Sequence, residues 1–256
     1  MELLLVGTDR RQDCLAELLQ NRHRIFRFED GTCRAAVDGI ILPCPSFDTS
    51  GALRADASLE ELFPFVCDRT TVFCCGSAAL AQTLCPRCFD LLSDEVTVLE
   101  NARLTAEASL LAVMEHTEDS LHKKRCLTVG YGRIGTYLTR LLCALGADCT
   151  VFARRAQTRA LAEGFGYRIA APGKAALEEY DFVFNTVPAQ ALSRTELSSL
   201  PQTCVWVELA SAPGGLPQDG KPFAFCVLSA GGLPGKYLPH AAAHVLSDAI
   251  ERKIGI

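Results

Sequence analysis

The chain is predicted to fold as α/β, with two doubly wound parallel-sheet domains joined by a long helix. Three observations predict it. Short apolar runs of strand length alternate with amphipathic helical stretches through both halves, the pattern of parallel sheets covered on both faces. From Ala102 to Lys123 the chain runs without Gly or Pro. Gly130, Gly132 and Gly135 make a Gly-x-Gly-x-x-Gly run between an apolar strand and a helix-patterned stretch. At 256 residues the chain also exceeds the usual size of one domain.

The first hundred residues give "ELLLVG", "DCLAELLQ", "RIFRF", "GIILPCP", "LEELFPFV", "TVFCCG" and "AALAQTL" in turn, strands interleaved with helices. They predict an N-terminal substrate and catalytic domain over residues 1–101. Apolar positions at Leu104, Ala108, Leu111 and Met114 then predict a connecting helix over 102–123. Six strand runs follow: "CLTV", "CTVFA", a weaker "YRIA", "DFVFNT", "CVWVEL" and "FAFCVLS". With the glycine loop after the first, they predict a Rossmann dinucleotide-binding domain over 124–236. The Pro- and Gly-rich "SAPGGLPQDGKP" and "AGGLPGKYLP" are expected as loops, and "PHAAAHVLSDAIERKI" as a C-terminal helix within 237–256.

Composition narrows the function. A net charge of −5 with no basic run speaks against a nucleic-acid tract or a polybasic membrane anchor. "MELLLVG" has no basic segment before its apolar run and is expected to be a first strand in a cytoplasmic protein. No apolar stretch approaches the roughly 20 residues of a membrane span. Of thirteen cysteines, Cys14, Cys67, Cys126, Cys143, Cys149, Cys204 and Cys226 fall inside apolar patterns, where a thiol acts as a small hydrophobe. Cys85 and Cys88 form the one C-x-x-C, read as a turn because no second pair or nearby His completes a metal set. No metal site is expected.

The glycine loop, residues Gly130, Tyr131, Gly132, Arg133, Ile134 and Gly135, is expected to hold the pyrophosphate of a dinucleotide at a helix N-terminus. About 20 residues on, where Asp or Glu marks an NAD site, stand Arg154 and Arg155. Two forked donors favour the 2′-phosphate of NADP, the alternative being two solvated arginines beside an NAD site. Asn185, Thr186, Val187 and Pro188 end the fourth strand, and Ser211 follows the fifth, both at the carboxyl edge where ligands bind.

In order, "VGTDRRQDCLAELL", "GIILPCPSFDTSG", "ENARLTAEASLLAVMEHT", "LTVGYGRIG", "FNTVP", "ELASAPGG" and "GGLPGKYLPHAAAHVL" resemble the family of dipicolinate synthase A-subunits of spore-forming bacteria. The resemblance runs from end to end. It implies an NADP-dependent oxidation of a dihydrodipicolinate-type precursor to pyridine-2,6-dicarboxylate, alongside the B-subunit of dipicolinate synthase, in the mother cell during sporulation. It also implies a layout similar to D-2-hydroxyacid dehydrogenases and a homodimer.

Such chemistry needs cations for two carboxylates and a group that takes a proton. Arg10 and Arg11 are candidate substrate cations, with Lys236 and His240 as candidate catalytic groups and Glu107 as candidate base. Thr105 and Glu107 are expected at the opening of the connecting helix, facing an interdomain cleft. Two other readings stay open: an NADP-dependent dehydrogenase of 2-hydroxy acids, and a non-catalytic NADP-binding protein.

Overall fold

In the computed structural model, residues 1–173 and 177–255 are described. The chain divides into two compact units, one made of Met1–Asn101 with the chain from Pro234 onward, the other of Ala102–Leu233.

In the first unit, β1 (Glu2–Leu5), β2 (Arg24–Arg27), β3 (Gly39–Ile41), β4 (Thr71–Cys74) and β5 (Cys88–Asp90) form one parallel sheet in the order β2-β1-β3-β4-β5. Successive side chains on a strand face opposite ways. Leu3 and Leu5 therefore pack on one face with Leu15 and Leu19 of α1 (Arg10–Leu19), while Leu4 and Val6 pack on the other with Ile40, Leu62 and Val72. This two-sided burial explains the unbroken apolar run. At about 1.5–3 kcal/mol per buried leucine, Leu3, Leu4 and Leu5 of β1 contribute heavily to the core on both faces. The expected helix at 78–84 is the short α2 (Ala78–Ala81), and "LEELFPFV" forms a 3-10 segment over Glu60–Phe65. The three-residue β5, which carries Cys88, has no apolar run and was not foreseen.

The helix α3 spans Glu95–Thr117, earlier than the expected 102–123. The Asp94 carboxylate accepts from the Thr97 hydroxyl at 2.7 Å and backbone N–H at 3.0 Å, and from Arg252 at 2.8 Å. These bonds hold its pKa down to about 2 and satisfy the first turn. Glu118, at φ 50°, ends the helix with its N–H on the Met114 carbonyl. Thr105 and Glu107 thus lie in mid-helix, which corrects their expected place in its first turn.

The second unit holds β6 (Arg125–Val129), α4 (Arg133–Ala144), β7 (Asp148–Phe152), α5 (Ala156–Gly164), β8 (Arg168–Ala170), β9 (Phe182–Asn185), α6 (Arg194–Ser198), β10 (Val205–Glu208) and β11 (Cys226–Ser229). Its six parallel strands run β11-β10-β9-β6-β7-β8, the doubly wound order with the crossover reversal between β6 and β9. The six strand runs read from the sequence are these six strands. Trp206, Phe152 and Val183 are buried at its centre.

The expected loop at 230–239 is partly helical. Gly231 and Gly232 turn, and α7 (Leu233–Tyr237) follows before α8 (Pro239–Ile254). Ala243, Leu246 and Ile250 of α8 return to the first unit and pack with Leu15 and Leu19. Among the described residues no helix is long and apolar enough to cross a membrane.

His23, between α1 and β2, is 6% exposed, and neither ring nitrogen has a hydrogen-bond partner. Burial lowers its pKa, assisted by the chain's N-terminal amine and Arg22 against Glu251. A folded pKa below the unfolded value means that the unfolded chain takes the proton first as pH falls below about 6.5. Stability is expected to drop there, and His23→Leu to flatten the drop. Urea unfolding near pH 8 and near pH 5 checks this; an unchanged pH slope in the variant would count against it.

Candidate functional site: a dinucleotide cradle and a buried arginine

At the end of β6, Gly130 takes φ 95° and donates its N–H to the Phe152 carbonyl at 2.8 Å. A Cβ there would lie 2.5 Å from Thr186 Oγ1 and 2.6 Å from Val187 Cγ2, so the turn admits only glycine. A Cβ on Gly135 would run into the Gly130 carbonyl, which is how close α4 comes to the strand end. Gly132 differs. It caps α4 without a side-chain bond, is exposed, and has no atom within 4 Å of a Cβ position. The first N–H groups of α4 therefore face open space beside a backbone that a phosphate can approach. Arg133 is exposed and Ile134 half-buried on the first turn.

The Tyr131 ring lies inward. It is 8% exposed, meets Tyr167 edge-on at 5.9 Å and packs with Val151 and Ala162, so only its main chain is offered to a ligand. Burial raises the pKa of its hydroxyl. Arg154 and Arg155 are exposed after β7, and Arg155 caps α5. A third arginine joins them. Arg159 donates from Nη1 to the Ala153 carbonyl at 3.0 Å and to the Arg154 carbonyl at 2.6 Å. It was missed from the sequence, although four positions on a helix from Arg155 bring two side chains to one face.

Asn185 is fully buried, and its amide donates to the Val187 carbonyl at 2.9 Å and to Glu208 Oε1 at 2.5 Å. Its side chain is spent on shaping the edge. Glu208 is the knot: Oε1 also accepts from the Ala210 N–H, and Oε2 from Trp206 Nε1 at 3.1 Å and the Gly215 N–H at 2.9 Å. Thr186 donates from N–H and Oγ1 to the Val129 carbonyl at 2.9 and 3.0 Å. Val187 is half-buried, and Pro188 and Ser211 are exposed at the same carboxyl edge. Within α3, Glu107 pairs with Arg103 at 2.7 Å, and Thr105 is 7% exposed.

In the first unit the strand order reverses between β1 and β3, the place where such sheets bind ligands. Arg11 lies there, only 6% exposed. Its Nη2 donates to Asp9 Oδ2 at 3.0 Å and to the Cys44 carbonyl, while Nε is buried without a partner. Gly235 covers it: a Cβ on Gly235 would sit 3.1 Å from the guanidinium carbon. The fold thus brings α7 onto Arg11, with Lys236 exposed over the Tyr237 ring at 4.7 Å and His240 exposed in the first turn of α8. Arg10 is exposed at the start of α1.

Cys85 donates to the Thr70 carbonyl at 3.2 Å and Cys88 lies 3.6 Å from Cys74, so the C-x-x-C thiols face separate partners. Cys143 and Cys226 are exposed, against their expected burial; each lies on the outer side of its element. Among the described residues no group of three or more His, Cys, Asp or Glu is placed to hold a metal.

Residues 97–210 match the family model of the D-isomer specific 2-hydroxyacid dehydrogenase NAD binding domain. The chain is an NAD(P)-dependent oxidoreductase. This oxidoreductase is similar to the A-subunit of dipicolinate synthase from Bacillus subtilis (strain 168), 28% identical over 239 residues, 84% of this chain and 77% of that protein. Among solved structures, the dipicolinate synthase A-subunit from Bacillus halodurans matches all of this chain and 98% of that one, at 22% identity and a TM-score of 0.85. Its counterpart from Bacillus subtilis matches all of this chain and 96% of its own, at 21% identity and 0.80. At those identities the two structures speak to the fold, two parallel-sheet α/β domains.

Glu208→Ala is expected to leave one N–H of the Asn185 amide, the Trp206 N–H and two backbone N–H groups without this acceptor and to cost about 3 kcal/mol. It should weaken dinucleotide binding as well. Chemical denaturation and a nucleotide titration check both; a variant as stable as the parent would remove the knot.

Proposed function

We propose that this oxidoreductase oxidises a dihydrodipicolinate-type precursor to dipicolinate with NADP, as the A-subunit of a dipicolinate synthase that works with a B-subunit in the mother cell of a sporulating bacterium. The observation that carries this reading is the similarity to the Bacillus subtilis A-subunit along 84% of the chain. Bound NADP supplies the hydride-accepting carbon. The Gly132 turn and the N-terminus of α4 hold the pyrophosphate, and the residues fit that group because nothing of the protein fills the space above Gly132. Arg154 and Arg155 grip the 2′-phosphate as forked donors, with Arg159 tying down the Ala153 and Arg154 carbonyls.

Arg11 receives one substrate carboxylate. A buried guanidinium whose Nε has no partner gains from an incoming anion, and Arg10 and Lys236 add charge at the same unit. Glu107 or His240 takes the proton that leaves the ring. Because the product is aromatic, holding the ring in place matters more than strong acid or base chemistry. Ser211 and Thr105 complete the set of candidate substrate contacts. The family match also suits a second reading, oxidation of a 2-hydroxy acid, which substrate trials separate from the first.

Incubation of the protein with enzymatically made dihydrodipicolinate precursor and NADP, with and without the companion B-subunit, is expected to yield NADPH and the pyridine product together. Absence of both with the B-subunit present would sink the reading; NADPH formed from a 2-hydroxy acid alone would favour the second.

Arg154→Ala with Arg155→Ala is expected to weaken NADP binding by about 1.5–3 kcal/mol per lost charge-assisted bond and to leave NAD binding little changed. Equal losses for the two nucleotides by calorimetry would contradict the 2′-phosphate role. Lys236→Ala should raise the substrate KM or lower kcat while nucleotide affinity and Tm stay put. We also propose a homodimer, the commonest soluble assembly. Light scattering showing only monomer at micromolar concentration would overturn it.

A further inference from the structure

The thirteen cysteines are all free thiols, and two of them, Cys74 and Cys75, are neighbours at the end of β4. Strand alternation sends them to opposite faces of the sheet: Cys74 packs with Leu4, Ile40 and Val72, and Cys75 with Leu5, Ile41 and Phe73. Each meets a second cysteine there. Cys74 Sγ lies 3.6 Å from Cys88 Sγ, and Cys44 packs on the same face as Cys75, where the two side chains interact.

The two pairs differ in what the backbone allows. Cys74 is level with Asp90 on β5, and Cys88 with Val72, so this pair is offset by two residues along adjacent strands. A rise of about 3.3 Å per residue and a strand spacing of about 4.8 Å put the two Cα atoms roughly 8 Å apart. A disulfide spans no more than about 7 Å without backbone movement. Cys44 and Cys75 are offset by only one residue, which by the same spacings puts the two Cα atoms about 6 Å apart. Ile41 is level with Phe73, which carries the residue before Cys44 to the level of Cys75. The two chain segments are tied there: the Ser46 N–H donates to the Cys75 carbonyl at 3.0 Å and the Cys75 N–H to Ser46 Oγ at 2.8 Å.

The pair is also asymmetric. Cys44 is half-buried and Cys75 is 2% exposed. Arg11, buried against the Cys44 carbonyl, favours negative charge on both sulfurs. The interaction with Cys75 lowers the pKa of Cys44, with Arg11 helping and burial opposing; the same interaction and burial raise that of Cys75. A half-buried thiol whose pKa is lowered, backed by a fully buried one, is the arrangement of an attacking and a resolving cysteine.

We propose that Cys44 and Cys75 are a redox-active dithiol that exchanges with low-molecular-weight disulfides. The Cys44 thiolate attacks one sulfur of the external disulfide, forming a mixed disulfide and releasing one thiolate. Cys75, giving up its proton to solvent, then attacks the Cys44 sulfur and releases the second thiolate. The two protein thiols are oxidised to one disulfide, and the external disulfide is reduced to two thiols. This site is independent of the substrate assigned to the enzyme.

The test uses the full chain, native and reduced, incubated with oxidised glutathione near neutral pH, then denatured, alkylated, digested and mapped by mass spectrometry. A Cys44–Cys75 cross-link is expected, fragment ions distinguishing Cys75 from Cys74, while Cys74 and Cys88 are alkylated. In Cys75→Ser, glutathione should stay on Cys44. A second measurement needs no variant: because the thiolate is the reactive form, pulsed iodoacetamide should label Cys44 in the native protein about tenfold faster than exposed Cys143. Glutathione found on Cys143 and Cys226 with Cys44 untouched, a Cys74–Cys88 link in its place, or labelling of Cys44 no faster than Cys143 would each overturn the proposal.

Discussion

The nucleotide-binding unit depends on one carboxylate. Glu208 ends β10 and gathers the Asn185 amide from β9, the indole of Trp206 from its own strand and the N–H groups of Ala210 and Gly215 from the loop beyond. Asn185 in turn holds the Val187 carbonyl, which sets the course of the chain past Gly130. A charged acceptor saturated by four donors is stiff, and the bonds compete with no water at the fully buried Asn185. The edge on which the glycine loop rests is therefore fixed by groups that do not themselves touch a nucleotide.

That division of labour decides what could be read in advance. The loop glycines were legible because two of them answer a steric demand that only glycine meets, a positive φ at Gly130 and contact with a carbonyl at Gly135, while Gly132 leaves open space over the helix start. The strands were legible where both faces are buried, as in β1, and illegible in β5, where Phe89 is exposed and its two neighbours are only partly buried. Spacing along the chain says which residues reach a strand end, and says little about which way a side chain turns there. Asn185 and Tyr131 both reach the edge and both turn inward, since each finds partners inside the unit.

The start of α3 shows the same limit from another side. Apolar spacing marked the stretch as helical, but the boundary was set by Asp94, a polar residue whose capping bonds and contact with Arg252 depend on a helix more than a hundred residues further along. Arg11 is similar. Its type suggested a surface cation for an anionic ligand, whereas its burial comes from Gly235 and the Cys44 carbonyl, neither near it in sequence.

The return of α8 to the first unit has a consequence for how the chain is made. One face of the β1 sheet is closed by Ala243, Leu246 and Ile250 together with α1, so the first unit is built from both ends of the chain, while the second is one continuous insertion. Synthesis proceeds from the N-terminus, and domains fold largely as units as they emerge. All the strands of the inserted unit are translated before α8 is. The unit that begins first is thus the one that finishes last, and until then Leu15 and Leu19 present an apolar stripe that nascent-chain chaperones are suited to cover.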